Sequence, residues 1–235
     1  MTLPKLLPAF DPRMVPVLGV DHHFAPIDPA RLTPEALRSR FEAPPVWIPE
    51  NSVEKRFSNR PPALAAVLMP LVMRDQLMLL LTQRTDNLST HAGQIALPGG
   101  RTDPTDVDAV DTALREAEEE VALPRSHVEV LGTLPIYVTG TAFVITPVVA
   151  LVRPGFNLNP NPGEVAEVFE VPLQYLMNPA HHRRHEFELN GVVRQWLSMP
   201  YHHVSDDPAM PGTQERFIWG ATAGMLRNLY RFLSA

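Results

Sequence analysis

The stretch Arg115-Glu116-Ala117-Glu118-Glu119-Glu120 limits what this chain can fold into more than any other. It lies in a segment, 106–122, whose spacing predicts a helix. Leu123-Pro124 closes it, because a residue before proline is pushed out of the α region. At about 100° per residue, Val110, Leu114, Ala117 and Val121 make one apolar stripe that must face a core. Glu116, Glu119 and Glu120 fall within an arc of about 100° on the flank of that stripe, and Glu118 points away. The arrangement is poor for stability. Like charges four residues apart repel, and carboxylates near a helix C-terminus oppose the helix dipole. A bound divalent cation offsets both, and a hard ion such as Mg²⁺ favours carboxylate oxygens. The plainer alternative is a solvated acidic face. Arg115, one turn before Glu119, is placed to pair with it and fix its rotamer.

The flanking segments supply a sheet for this helix. Ala63–Met73 and 76–84 are apolar runs around the turn Arg74-Asp75, the pattern of a β-hairpin. Gln94-Ile95-Ala96-Leu97 stops at Pro98-Gly99-Gly100. Strands are expected at 128–138, 142–152 and 165–171, and a short proline-started helix at 172–177. The segments 184–189 and 192–197 flank Asn190-Gly191, a strong hairpin signal. Helical spacing returns at 219–233, with Leu226, Leu229, Tyr230 and Leu233 on one side. The outline is of the α/β class, a mixed central sheet in an α/β/α sandwich. Residues 1–60 are rich in proline and polar groups. They hold one expected helix, with Thr33 as N-cap and Pro34 at its first position, running to about Phe41. They read as an extension packed on a main domain at 61–235.

Charge and composition narrow the partners. With 20 basic and 26 acidic side chains the net charge is −6, which argues against a nucleic-acid polymer. It leaves room for a small anionic substrate, since a bound cation reverses the local sign of a site. The chain has no cysteine, which excludes disulfides, thiolate metal sites and a cysteine nucleophile. No apolar run is long enough to span a membrane, and residues 1–20 lack the apolar core of a signal peptide. A cytoplasmic protein is expected. Oligomeric state is not legible.

Two motifs carry a family resemblance. Gly100-Arg101-Thr102-Asp103-Pro104-Thr105-Asp106, followed by Arg115-Glu116-Ala117-Glu118-Glu119-Glu120-Val121-Ala122-Leu123, resembles the Nudix box, G-x5-E-x7-R-E-U-x-E-E-x-G-U with U aliphatic. Asp106 stands where a Glu is usual and one residue further from the Arg, so no role is assigned to it. Ala122 replaces the late glycine. Upstream, Leu80-Leu81-Thr82-Gln83-Arg84 and Gly93-Gln94-Ile95-Ala96-Leu97-Pro98-Gly99-Gly100 resemble the additional signature of coenzyme A pyrophosphatases. Thr112-Ala113-Leu114-Arg115-Glu116 and Ile218-Trp219-Gly220-Ala221-Thr222-Ala223 fit the same subfamily. Thr85, Ser89 and Leu97 depart from its pattern at a small residue, an Arg and a Phe.

The resemblance implies a metal-dependent hydrolase of a nucleotide-like diphosphate. Glu116, Glu119 and Glu120 would hold Mg²⁺ or Mn²⁺, with a backbone carbonyl near Gly99 or Gly100 completing the coordination. Arg115 and Glu119 belong to the catalytic set, and Glu119 or Glu164 is the general base. Arg84 is the expected contact to substrate phosphate, and Gly99 and Gly100 let the backbone approach it. His181, His182 and His185, around Arg183-Arg184, lack a trustworthy zinc spacing and are expected in a solvated loop, with phosphate binding as the alternative. Three functions follow: a coenzyme A or acyl-coenzyme A pyrophosphatase; a Nudix hydrolase of ADP-ribose, NADH or another nucleotide diphosphate; or a non-catalytic nucleotide-binding module.

Overall fold

A computed structural model describes residues 11–50, 53–56, 58–86, 91–189, 192–205 and 212–235. In chain order the elements are β1 (Val17–Val20), α1 (Pro34–Glu42), β2 (Ala63–Met73), β3 (Leu77–Arg84), β4 (Ile95–Ala96), β5 (Gly99–Arg101) and α2 (Ala109–Val121). They continue with β6 (Val128–Thr133), β7 (Tyr137–Val138), β8 (Phe143–Val152), β9 (Val165–Pro172) and α3 (Leu173–Leu176). The chain ends in β10 (Arg183–Leu189), β11 (Val192–Ser205), β12 (Gly212–Trp219) and α4 (Gly220–Ser234).

The hairpin of β2 and β3 is real but brief. Only Leu71–Leu79, Val72–Met78 and Met73–Leu77 pair across it. Beyond them the strands part. β2 takes β8 in parallel, from Ala63–Phe143 to Val72–Val152, and β5 antiparallel. β3 takes β9 and β4, both antiparallel. The short chain through Pro98 fills the gap, and Leu68 N–H donates to the Pro98 carbonyl at 2.8 Å. These strands make one mixed eight-stranded sheet.

Helices cover both faces, as the α/β/α expectation requires. On one side Ala113, Ala117 and Val121 of α2 pack on Ala66, Leu68, Leu80, Val148 and Ala150. On the other, Leu226, Leu229 and Leu233 of α4 and Leu37 of α1 pack with Met69, Leu71, Leu79, Leu81 and Leu151. The odd and even positions of β2 serve opposite faces, the period-2 signature of a strand buried twice.

Several expected boundaries shift for local reasons. α1 starts as expected, with the Thr33 hydroxyl accepting from Ala36 N–H. α2 begins at Ala109 rather than 106, because the Asp108 carboxylate accepts from Asp111 N–H and caps it. Asp106 is left in the preceding loop. The single strand expected at 128–138 is two, β6 and β7, divided at Pro135, which has no N–H to give a ladder. β4 is only two residues long.

A second, antiparallel sheet of order β1-β10-β11-β12 had no counterpart in the sequence reading beyond its central hairpin. That hairpin pairs from Arg183–Ser198 to Leu189–Val192; its Asn190-Gly191 turn lies outside the described residues. The sheet corrects the histidine expectation. His182 and His185 are buried rather than in a solvated loop. His182 Nε2 bonds the Leu176 carbonyl at 2.7 Å and its Nδ1 faces Arg227 Nη1 at 3.0 Å. His185 lies in β10, 2.8 Å from Ser198 Oγ, and stacks on Trp196. Neither can meet a substrate phosphate.

Two acids before residue 60, Asp21 and Glu50, are tied to this sheet and to α4 by charge. Arg184 grips Asp21 with Nε–Oδ1 and Nη2–Oδ2 both at 2.7 Å. The fully buried Arg227 meets Glu50 at 2.7 Å and Asp21 at 3.1 Å. Among the described residues no helix is long and apolar enough to cross a membrane.

Candidate active site

The parting of β2 and β3 makes room for the site. β5 enters beside β2 with Gly99 pressed against it: a Cβ there would lie 2.4 Å from the Ala66 carbonyl oxygen and 2.6 Å from Val67 Cα. Gly100 faces α2, where a Cβ would lie 2.4 Å from Glu116 Oε2. The Pro-Gly-Gly sequence is thus a fit requirement at two neighbouring positions against two different partners.

α2 lays its acidic flank over this strand. Glu120 is buried at 4% exposure, and its Oε2 accepts from Gly99 N–H at 3.2 Å. Arg84, at the end of β3, brings Nη1 to 3.8 Å from Glu120 Oε1, while its buried Nε has no hydrogen-bond partner. Glu116 is half-buried, and Glu119 is exposed. Glu118 points outward to Arg125, as the helical wheel requires.

Arg115 organises the acids. Its Nη1 is 3.0 Å from both Glu116 Oε1 and Glu119 Oε2. Its Nη2 donates to the Arg101 carbonyl at 3.0 Å. The expected pairing with Glu119 is present, but the tightest partner is Asp106, to which the sequence reading gave no role. Nε and Nη2 take both Asp106 oxygens, and Thr112 Oγ1 adds a bond of 2.8 Å. The early acid of the box was the available signal; a longer loop still lets it reach the same arginine.

The loop before β9 closes the site. Asn159 and Asn161 N–H groups donate to the Val121 and Glu120 carbonyls, orphan acceptors in the last turn of α2. Glu164 follows, its carbonyl accepting from Thr85 N–H at 2.9 Å. Thr85 Oγ1 also reaches the Gly163 carbonyl, at 3.4 Å. Leu97 is core. Ser89 lies outside the described residues.

The electrostatics favour a cation. Burial, with repulsion from Glu116 and Glu164, pushes the Glu120 carboxyl up to about 7 against the pull of Gly99 N–H and Arg84. Burial raises Glu116 too, with Glu119 and Glu164 adding to it and Arg115 opposing. Among the described residues no three carboxylates or imidazoles converge as a preformed ligand set. The donor chemistry nonetheless fits a hard divalent ion: oxygen ligands only, a buried carboxylate lacking a close counter-charge, and a glycine backbone clearing the space beside Glu116.

The family model described as NUDIX domain matches residues 62–190. A Salmonella heidelberg protein named uncharacterized Nudix hydrolase NudL is 40% identical over 204 residues, 86% of this chain and 96% of that protein. The chain belongs to the Nudix family. An Escherichia fergusonii Nudix protein of the same name is 44% identical over 166 residues, 70% of this chain and 80% of its own. Among solved structures, a C. elegans Ap4A hydrolase aligns at a TM-score of 0.41 with 20% identity, over 50% of this chain and 85% of that one. Nudix hydrolases act on small nucleotide diphosphate substrates and generally use divalent metal ions. The residues that the Nudix box contributes here are Arg115, Glu116, Glu119 and Glu120. The structure gathers Arg84, Gly99, Gly100 and Glu164 around them.

Proposed function

We propose that this Nudix hydrolase cleaves the pyrophosphate of coenzyme A or an acyl-coenzyme A, with Mg²⁺ or Mn²⁺, to 3′,5′-ADP and a 4′-phosphopantetheine. One observation carries the reading. The two halves of the upstream signature, Leu80–Arg84 in sequence and the Pro98-Gly99-Gly100 turn, meet at one carboxylate. Arg84 and Gly99 N–H both address Glu120.

Glu116, Glu119 and Glu120 would hold the ion. When bound, it neutralises phosphate charge and lowers the pKa of the attacking water. The water oxygen bonds to one phosphorus as the bridging P–O bond breaks, and the other phosphate leaves with the electron pair. Glu164 takes the water's proton. Its carboxylate has no ion-pair partner among the described residues, whereas Glu119 is engaged by Arg115. Arg84, whose side chain keeps a quarter of its surface exposed beside Glu120, contacts a substrate phosphate. Phosphoryl transfer of this kind relies on positioning and charge neutralisation, which these groups supply.

The test is product analysis with coenzyme A, ADP-ribose and NADH, each with Mg²⁺, Mn²⁺ or chelator. Metal-dependent release of 3′,5′-ADP supports the proposal. Cleavage of ADP-ribose or NADH alone keeps the chemistry and removes the coenzyme A assignment. Ser89, in place of the signature's arginine, favours that second reading.

A further inference from the structure

Arg216 lies in β12, outside the segment matched by the family model. Only 7% of it is exposed, yet its guanidinium is held by polar side chains rather than packed in an apolar core. Its guanidinium reaches across from the second sheet to two strands of the first. Nη1 donates to Gln83 Oε1 at 3.1 Å and to Glu167 Oε2 at 2.7 Å; Nη2 donates to Glu167 Oε1 at 2.5 Å and to Gln214 Oε1 at 3.0 Å. The group lies over the Phe169 ring, 4.7 Å from its centroid.

Its two cross-sheet partners are themselves a pair. Gln83 of β3 stands opposite Glu167 of β9, and this is the last regular rung before the register shifts to Arg84–Val165. Past that rung the two strands deliver Arg84 and Glu164 to the carboxylate cluster. An irregular step in a ladder does not fix its own geometry, because one residue there is left without an opposite number. A planar fork bound at once to both members of the preceding rung supplies the missing constraint. We propose that Arg216 is a positioning residue for the reaction: it clamps the Gln83–Glu167 rung and so sets where Arg84 and Glu164 stand. This rests on the functional roles argued for those two residues. It also gives the C-terminal segment a part in the site.

The test compares Arg216→Gln and Glu167→Gln with Arg74→Gln. The last removes an equivalent bidentate pair, Arg74–Glu170, which involves β9 away from the site. Both clamp variants should lower kcat/KM by about 10-fold, and the control should leave it unchanged. Because the clamp acts through Glu164, the loss caused by Glu164→Gln should be about 10-fold smaller in the Arg216→Gln background. A merely structural role predicts additive losses. Amide hydrogen exchange reads the clamp without any turnover. In both clamp variants the Thr85 and Arg84 amides, which donate to Glu164 and Gln94 carbonyls, should exchange about 10-fold faster, with the Leu68, Met69, Leu71 and Val72 amides of β2 unchanged. Unchanged exchange at Thr85, a uniform rise across the sheet, or disagreement between the two truncations would overturn the proposal. Lack of coenzyme A hydrolysis by the wild type would remove the substrate reading and leave the exchange result to decide the clamp.

Discussion

The guanidinium of Arg115 grips the carboxylate of Asp106 along two bonds, Nε to Oδ1 at 2.8 Å and Nη2 to Oδ2 at 2.9 Å. The same guanidinium holds Glu116 and Glu119 with its remaining nitrogen. Asp106 therefore decides where two proposed metal carboxylates stand. Replacing it with Asn removes half the fork and should lower kcat/KM by about 10- to 100-fold, the usual effect of losing a partner one step behind a ligand. The Arg115 fork also holds the Asp106 carboxyl well below its usual range, so its folded pKa lies under its unfolded one. Such a group stabilises the fold above about pH 4 and progressively less as pH falls. The difference in urea midpoint between wild type and Asp106→Asn should shrink from pH 7 to pH 3. A constant difference would show that the pair adds no charge-dependent stability.

Gly99 and Gly100 separate two kinds of damage. Alanine at 99 drives its Cβ into the backbone of β2, which cannot yield locally, and should cost about 3 kcal/mol or more by urea denaturation. Alanine at 100 meets only the end of the Glu116 side chain, which can swing away. Stability should then fall by less than about 1 kcal/mol, while activity drops about 100-fold as the carboxylate leaves its place. An active, stable Gly100→Ala protein would remove Glu116 from the site.

The chemistry of this chain was more legible than its framework. Acidic spacing along α2 was enough to separate Glu118 from Glu116, Glu119 and Glu120, because a helix maps sequence to direction by a fixed angle. The three-layer plan was legible for a similar reason, since Ala63–Met73 is apolar at every position and needs cover on both faces. The second sheet was not. β11 passes Pro200 and β12 carries Gln214, Glu215 and Arg216, so neither shows clean alternation, and β1 is only four residues long. His182 and His185 misled because a histidine's burial depends on partners far along the chain, here Arg227 and Val15. Arg216 carried no local signal for the clamp, as its two cross-sheet partners are 133 and 49 residues away.

His182 should make the protein acid-sensitive. With Nε2 bonded to a carbonyl, the neutral ring carries its proton there, and Nδ1 accepts from Arg227. Protonating Nδ1 would set an N–H against a guanidinium in a buried site. Burial first, with Arg227 and His181 adding to it, brings the pKa down to about 4 despite the Leu176 carbonyl and Asp21. The folded value is below the unfolded one, about 6.5, so the unfolded chain takes up the proton first as pH falls. This histidine's stabilisation is complete above about pH 6.5 and is lost between there and pH 4, to the extent of about 3 kcal/mol. Urea unfolding across that range measures the loss, and an NMR titration locates the group. A His182 ring that titrates near 6.5 would contradict the buried tautomer.

Glu120 gives the sharpest opposition between activity and stability. Its carboxylate is buried, accepts one backbone N–H and faces Arg84 only at 3.8 Å. A charge so placed is costly unless something neutralises it, and burial accordingly raises its carboxyl. Gln keeps the shape and can still accept from Gly99 N–H, but it removes the charge. In chelator, Glu120→Gln should therefore be more stable than wild type by about 1–2 kcal/mol. Its hydrolysis should fall by about 100-fold or more, because the ion loses its most enclosed oxygen ligand. Adding Mg²⁺ or Mn²⁺ should raise the urea midpoint of the wild type and move the variant much less. If the variant were instead less stable in chelator, Gly99 and Arg84 would already neutralise the carboxylate. Glu120 would then be a structural acid, and the ion would have to rest on Glu116 and Glu119.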